Sequence, residues 1–288
     1  MDGPADVGLS GLVASPLARR GFVMSTLITG LTLATTRVDA QAIHTDTSGI
    51  VAQETKIPVA DGSLPAYVAH PAGNGPFPTI LVIEEIFGVH EYIKDVCRRL
   101  AKAGYLAVAP ELYARLADLS KMTNVAEIIR DVILKAPDAT MLSDLDATAA
   151  WAASHGGDPT RLGVTGFCRG GRDTWLYATH NPKLKAAVAW YGPVLGPTSA
   201  IQPVNPSDVA EKLLCPLLGL YGGQDTGIKM PDVQAAAAKA TVSGKQVEIV
   251  IYPDAGHGFH ADYRPSYNAA DAAAGWSRML GWFSSHGV

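Results

Sequence analysis

A lone cysteine, Cys168, stands between glycines in the stretch GVTGFCRGGRD at residues 163–173. A thiol in that setting can attack an acyl carbon, provided a base takes its proton and a carboxylate orients the base. A free thiol titrates near pH ~8.5, so only about 3% is thiolate at pH 7, whereas a pKa of about 6 would make roughly 90% of it thiolate. The residues before the cysteine, RLGVTGF, read as a short buried strand, and those after it, RGGRDTWLYATH, as the start of a helix. Strand, sharp turn and helix is the geometry of a nucleophile elbow, with the usual GxSxG written here as GxCxG. The nucleophile of an elbow takes a strained backbone conformation, and Gly166 and Gly170 then stand where no side chain fits beside the bend. Free N–H groups at the start of the helix would favour the sulfur anion.

Eight histidines compete for the role of base. His257, in PDAGHGF, follows the apolar run QVEIVIY and so falls at the carboxyl end of an expected strand, while His90, His155 and His180 lie on or beside expected helices. Asp225 ends CPLLGLYGGQD in the same way. The chain order is nucleophile, acid, base, as in α/β-hydrolases. Cys168 would attack the acyl carbon, His257 would move the proton, and Asp225 would orient the imidazole and balance its charge. Two backbone donors must meet the resulting oxyanion: the N–H of Arg169, next to the nucleophile, and that of Ile86 in the segment EEIFG after an early strand. His257 and His260 could suggest a metal pair, but no third ligand is evident, so no metal is expected and His260 reads as a pocket-wall or surface residue. Arg169 and Arg172 sit at the positive end of a helix, where they either stabilise a thiolate or draw an anionic substrate, or turn away to pair with carboxylates. Cys97 and Cys215 read as small core residues.

The elements that must position these groups are legible as an alternation. GIVAQETKIPVADGSLPAYVAHP predicts two strands joined at Asp61-Gly62, an antiparallel hairpin. PTILVIEEIFG then predicts a strand, HEYIKDVCRRLAKAG a helix and YLAVAPELY a strand. A helical region from Asn124 to Ser154, broken near Pro137, precedes the elbow strand. Beyond the elbow come KAAVAWYG, a proline-rich loop from Pro193 to Pro206, the strand ending at Asp225, an alanine-rich helix after Pro231, the strand before His257, and a final helix ending near Ser285. Continuous apolar strands between helices imply a mainly parallel sheet covered on both faces, with function at the carboxyl ends of its strands. The fold class is therefore α/β, of the α/β-hydrolase type, with an N-terminal antiparallel hairpin.

Composition sets the outer limits. The 288 residues are 48% hydrophobic and 17% charged, with a formal net charge of -4. That describes one globular domain, placed at residues 43–288 and large enough to bury a substantial core. A mildly acidic balance without a Lys/Arg cluster excludes nucleic acid as the expected partner and leaves a small molecule acting on a monomer. The N-terminal stretch SPLARRGFVMSTLITGLTLATTRVDAQA resembles a twin-arginine export signal, with paired Arg19 and Arg20 and a small-residue cleavage site ending at Ala42. Residues 1–42 would then be removed on export, which implies a periplasmic or secreted protein, and their apolar run is too short for a lasting membrane anchor.

EEIFGV, APELYAR, GFCRGG, YGGQD and AGHGF, in this order over nearly the whole mature chain, resemble the dienelactone hydrolase family, the carboxymethylenebutenolidases. The resemblance implies an α/β-hydrolase with a Cys-His-Asp triad of Cys168, His257 and Asp225, and no cofactor. It also implies that a glutamate of the EIFG segment, here Glu85, lies against the resting thiol and keeps it neutral until substrate displaces the carboxylate. Glu84 is left with a structural role. Characterised members hold the carboxylate of their dienelactone with an arginine four residues after the histidine, and this chain has Ala261 there. Arg264 or Arg130 could replace it. Candidate pocket residues are Phe87, Tyr113, Arg130, Phe259 and Arg264.

The expected function is cofactor-independent hydrolysis of a lactone or small ester. A carboxylesterase acting on a neutral ester, and a non-catalytic binding protein on a hydrolase fold, are the alternatives; the second has no need for Asp225 behind His257. A redox sensor would require a resolving cysteine near Cys168, and no feature of the sequence brings Cys97 or Cys215 there.

Overall fold

The computed structural model describes residues 43–288; the expected export signal and its cleavage point lie outside the described residues. Two strands, Ile50–Val59 (β1) and Gly62–Pro71 (β2), pair antiparallel with Val59 opposite Gly62, so the hairpin turns at Ala60 and Asp61, one residue earlier than expected. Six more strands follow: Phe77–Ile83 (β3), Leu106–Pro110 (β4), Gly157–Phe167 (β5), Leu184–Trp190 (β6), Leu217–Gly222 (β7) and Val247–Tyr252 (β8). They form one sheet in the order β1-β2-β4-β3-β5-β6-β7-β8. β2 meets β4 antiparallel, and every pairing from β4 through β8 is parallel. β4 and β7 are buried along their whole length, which is why they read as unbroken apolar runs rather than alternating ones.

The helices are Glu91–Lys102 (α1), Val125–Asp131 (α2), Asp138–Ser154 (α3), Arg169–Ala178 (α4), Pro206–Val209 (α5), Met230–Val242 (α6) and Ala269–Ser285 (α7). Pro137 sits at the N-cap of α3, after a short 3-10 turn over Ile133–Lys135. A proline disfavours helical geometry in the residue before it, and this divides the long helical region into α2 and α3. The central core packs Phe167, Trp175, Trp190 and Phe283, all fully buried, with the aliphatic residues of β3. Cys97 and Cys215 are buried free thiols, as expected.

This topology collects five chain segments at one edge of the sheet. Glu84 follows β3, Cys168 follows β5, Tyr191 follows β6, and Asp225 and His257 lie in the loops after β7 and β8. Parallel strands all point their carboxyl ends the same way, so residues far apart in the chain become neighbours there.

Candidate active site

Cys168 carries φ 55° and ψ -115°, a conformation that side-chain-bearing residues rarely adopt. The bend is held by its neighbours: Cys168 N–H donates to the Trp190 carbonyl at 3.0 Å, and Gly171 N–H donates back to the Cys168 carbonyl at 2.9 Å. A Cβ on Gly166 would come within 2.3 Å of the Gly170 carbonyl oxygen, and one on Gly170 within 2.4 Å of the Glu84 carbonyl oxygen. The elbow glycines are thus required by backbone packing against the turn after β3. The sulfur itself is nearly covered, Cys168 being 5% exposed.

His257 Nε2 lies 3.2 Å from Cys168 Sγ, and its Nδ1 lies 2.7 Å from Asp225 Oδ2. The other Asp225 oxygen accepts from the N–H groups of Gly227 at 2.8 Å and Ile228 at 3.0 Å, so a tight turn after β7 fixes the carboxylate. Ser266 Oγ donates to the His257 carbonyl at 2.7 Å and steadies the histidine loop. Burial alone would make the imidazole harder to protonate, but the charges of Cys168 and Asp225 outweigh it and push its pKa up to about 10. The arrangement can pass a proton between sulfur and imidazole while the aspartate balances the imidazolium.

Arg169 opens α4, where its N–H has no intrahelical partner. Ile86 is buried in the turn after β3, whose Glu85 and Gly88 form an isolated bridge. The side chains of Arg169 and Arg172 turn away from the sulfur. Arg172 forms a two-pronged pair with Asp138 at 2.8 Å on each arm, contacts Asp173 at 2.9 Å and donates to the Val204 carbonyl at 3.0 Å. Arg169 reaches Asp173 at 3.2 Å and Gln202 at 3.3 Å. Of the two readings open for these arginines, pairing with carboxylates is the one observed, and through Val204 and Gln202 it ties the proline-rich loop to the elbow helix.

Glu85 departs from the expectation that it lies against the thiol. It is fully buried and accepts from Arg264 Nη2 at 3.0 Å and from the Tyr263 hydroxyl, with His90 Nε2 3.5 Å away. Burial would raise its pKa, yet the Arg264 guanidinium, with His90 and Tyr263, brings it down to about 2. The physical reason for the departure is Arg264: a guanidinium this deeply buried stays charged and requires a carboxylate partner. Glu84 is equally buried; it accepts from Leu112 N–H at 2.7 Å, and its second oxygen has no partner. Burial, with the Glu111 carboxylate nearby, holds its pKa well above the usual carboxylate range.

The remaining candidate pocket residues divide. Phe87 is half-buried with its ring 5.3 Å from the Arg264 guanidinium, and Tyr113 is buried in one cluster with Ile86 and Phe87. Arg130 does not belong to the site: it is exposed on α2 and pairs with its neighbour Asp131. Phe259 is fully buried against Trp190, Tyr191 and Tyr252, a core residue rather than a wall. His260 is likewise neither wall nor surface. It is buried with Nδ1 2.7 Å from the Tyr92 hydroxyl and its ring against Phe167, and burial with the nearby Arg99 charge drives its pKa down to about 3. Ala261 is fully buried and offers no cation.

Three neighbours of the site escaped the sequence reading. Tyr191 is the first residue after β6, has φ 37°, and sets its ring 5.2 Å from that of His257; the strand-end rule that selected Cys168 would have found it. His90 lies beside a helix, a position that bears only on the role of base, and its Nε2 is 3.5 Å from Glu85. Tyr263 had no signal beyond its place next to Arg264. A cavity of 280 Å³ opens elsewhere, lined by Asp146, Asp158, His180 and Lys183 among others, and shares no residue with these groups.

A model of the dienelactone hydrolase family matches residues 64–287. The chain is 55% identical over 286 residues to a protein of Methylorubrum extorquens named "Putative carboxymethylenebutenolidase", covering 98% of each. It is 32% identical over 226 residues to a Bradyrhizobium protein named "Probable 2-oxo-3-(5-oxofuran-2-ylidene)propanoate lactonase", covering 77% of this chain and 89% of that one. Among solved structures, a "Putative Dienelactone Hydrolase" from Klebsiella pneumoniae superimposes with a TM-score of 0.80 at 51% identity, over 82% of this chain and 98% of the other.

Proposed function

The chain belongs to the dienelactone hydrolase family, and from that premise we propose that it hydrolyses lactones or small esters without a cofactor, through an acyl-enzyme on Cys168. The observation that carries the reading is the chain of contacts from Cys168 Sγ to His257 Nε2 at 3.2 Å and from His257 Nδ1 to Asp225 at 2.7 Å. In the first half-reaction the sulfur, its proton on His257, adds to the carbonyl carbon, and the N–H groups of Ile86 and Arg169 receive the oxyanion. Collapse of the tetrahedral species breaks the acyl C–O bond while the imidazolium protonates the leaving oxygen. With a lactone, that oxygen stays tethered as the hydroxyl of the thioester. Water then adds to the thioester with its proton passing to His257, and the C–S bond breaks to release the acid and restore the pair. The Bradyrhizobium relative carries a lactonase name, which supports a lactone as one substrate class. With the export signal expected at residues 1–42, the reading is of a periplasmic or secreted activity.

Cys168→Ala is expected to lose turnover of an aryl ester by at least ~10³-fold while keeping the far-ultraviolet circular dichroism spectrum of the folded wild type. Mixing the wild-type protein with that ester and quenching within one turnover should give a mass increase equal to the acyl group on the peptide containing Cys168. Full turnover by the alanine variant would overturn the reading.

A further inference from the structure

Arg264, in the loop that carries His257, is a buried cation bonded to Glu85, and its surroundings describe what it does. Its side chain is 2% exposed. The stem packs against Gly258 so closely that a Cβ there would come within 2.8 Å of Arg264 Cδ. The guanidinium lies over the Phe87 ring at 5.3 Å, donates to Glu85 at 3.0 Å and, from Nε, to the Tyr263 hydroxyl at 3.1 Å. Arg264 therefore joins the histidine loop to the turn that carries both Glu85 and Ile86.

The charged and titratable groups around the elbow come from five segments. His257, Tyr263 and Arg264 belong to the loop after β8, Asp225 follows β7, Tyr191 follows β6, Glu85 and His90 lie between β3 and α1, and Arg169 opens α4. Cys168 acts electrostatically on Arg264 and on Tyr191, and Glu85 acts on both of those residues. A buried carboxylate in this group without a counter-charge would oppose a second anion on the sulfur. Protonation would relieve it, or a cation could cancel it, and the geometry shows the cation.

We propose that Arg264 is a positioning residue that holds Glu85 in an ion pair so that Cys168 can ionise, and that it is thereby withheld from substrate, leaving the site suited to lactones and esters that carry no carboxylate. The inference rests on the reading of Cys168 as nucleophile. With Ala261 buried and Arg130 on the surface of α2, neither position supplies a second cation.

The test follows the thiol directly and the substrate separately. Alkylation of Cys168 by iodoacetamide is timed against pH by peptide mass for the wild type, Arg264→Gln, Arg264→Lys and the double variant Glu85→Gln/Arg264→Gln. The same proteins are given two aryl esters of equal size, one neutral and one bearing a carboxylate. Arg264→Gln should alkylate at least ~10-fold more slowly at pH 7, with its profile displaced by about one unit to higher pH. It should also lose kcat on both esters alike. Arg264→Lys should stay close to wild type, and the double variant, which lacks both charges and so folds without a stranded one, should regain fast alkylation. The wild type should prefer the neutral ester.

An unchanged alkylation profile in Arg264→Gln, with KM raised for the anionic ester alone, would make Arg264 a substrate anchor and overturn the proposal. So would slow alkylation that the second substitution does not relieve. Absence of any esterase activity in the wild type would defeat the functional reading instead, and the alkylation series would still decide what Arg264 does to the sulfur.

Discussion

At the scale of single residues, the candidate site is governed by which charges are paired. The imidazole of His257 gains its proton affinity from two anions against the opposing effect of burial. A folded-state pKa raised to about 10 from an unfolded value near ~6.5 means that the stability from this pairing is complete below pH ~6.5 and is lost as pH rises through about 10. The rate profile should follow the same group: kcat/KM is expected to fall on an alkaline limb centred near pH 10, where His257 can no longer protonate a leaving oxygen. Removing the sulfur separates the two contributions. In Cys168→Ala the His257 C2 proton, followed by NMR, should titrate at lower pH than in the wild type; an unmoved midpoint would mean that Asp225 alone holds the proton. Glu85 shows the opposite sign. Its carboxyl is depressed to about 2, so its pairing with Arg264 stabilises the fold above the unfolded carboxylate range near ~4.3 and fails as pH falls toward 2.

At the scale of elements, the elbow depends on two close backbone approaches at Gly170 and one buried charge network. Gly170 admits no side chain, since its Cβ would meet the carbonyl oxygens of Glu84 and Ile83 at 2.4 and 2.5 Å. Gly170→Ala must push α4 away from the turn after β3, with an expected cost of about 1–3 kcal/mol in chemical denaturation and a larger relative loss of turnover. Arg172 lies on the far side of the same helix, 7% exposed, with Asp138, Asp173 and the Val204 carbonyl as partners. Arg172→Met would leave Asp138 and Asp173 with Arg169 alone, and about 3–5 kcal/mol of stability should be lost. Because Val204 and Gln202 belong to the proline-rich loop, limited proteolysis between residues 193 and 206 should accelerate in that variant; equal cleavage rates would show that the loop is held by other contacts.

At the scale of the whole molecule, a fully buried carboxyl beside the sheet makes stability depend on pH. Glu84 keeps its proton in the folded state at pH values where the unfolded chain, with a carboxyl pKa near ~4.3, has lost it. The Glu84 contribution to folding stability then declines as pH rises above about 4, and Glu84→Gln should remove that component from the pH dependence in urea denaturation. A parallel slope in the two proteins would place the proton elsewhere, with Glu111 the next carboxyl to examine. The order of the elements, the mainly parallel sheet and the bend at Cys168 were legible in the sequence, because each follows from apolar periodicity and from glycines at a turn, both local properties. The same locality located Cys168, Asp225 and His257 at strand ends, and parallel strands bring such ends together whatever lies between them. The tertiary structure alone decided which buried charges meet. Glu85 and Arg264 are 179 residues apart, and their pairing, like the burial of Phe259 and His260 and the exposure of Arg130, depends on how distant segments pack. Loop residues carry no periodicity that records the face they turn to, so their direction is set by desolvation and by the partners that the finished fold supplies.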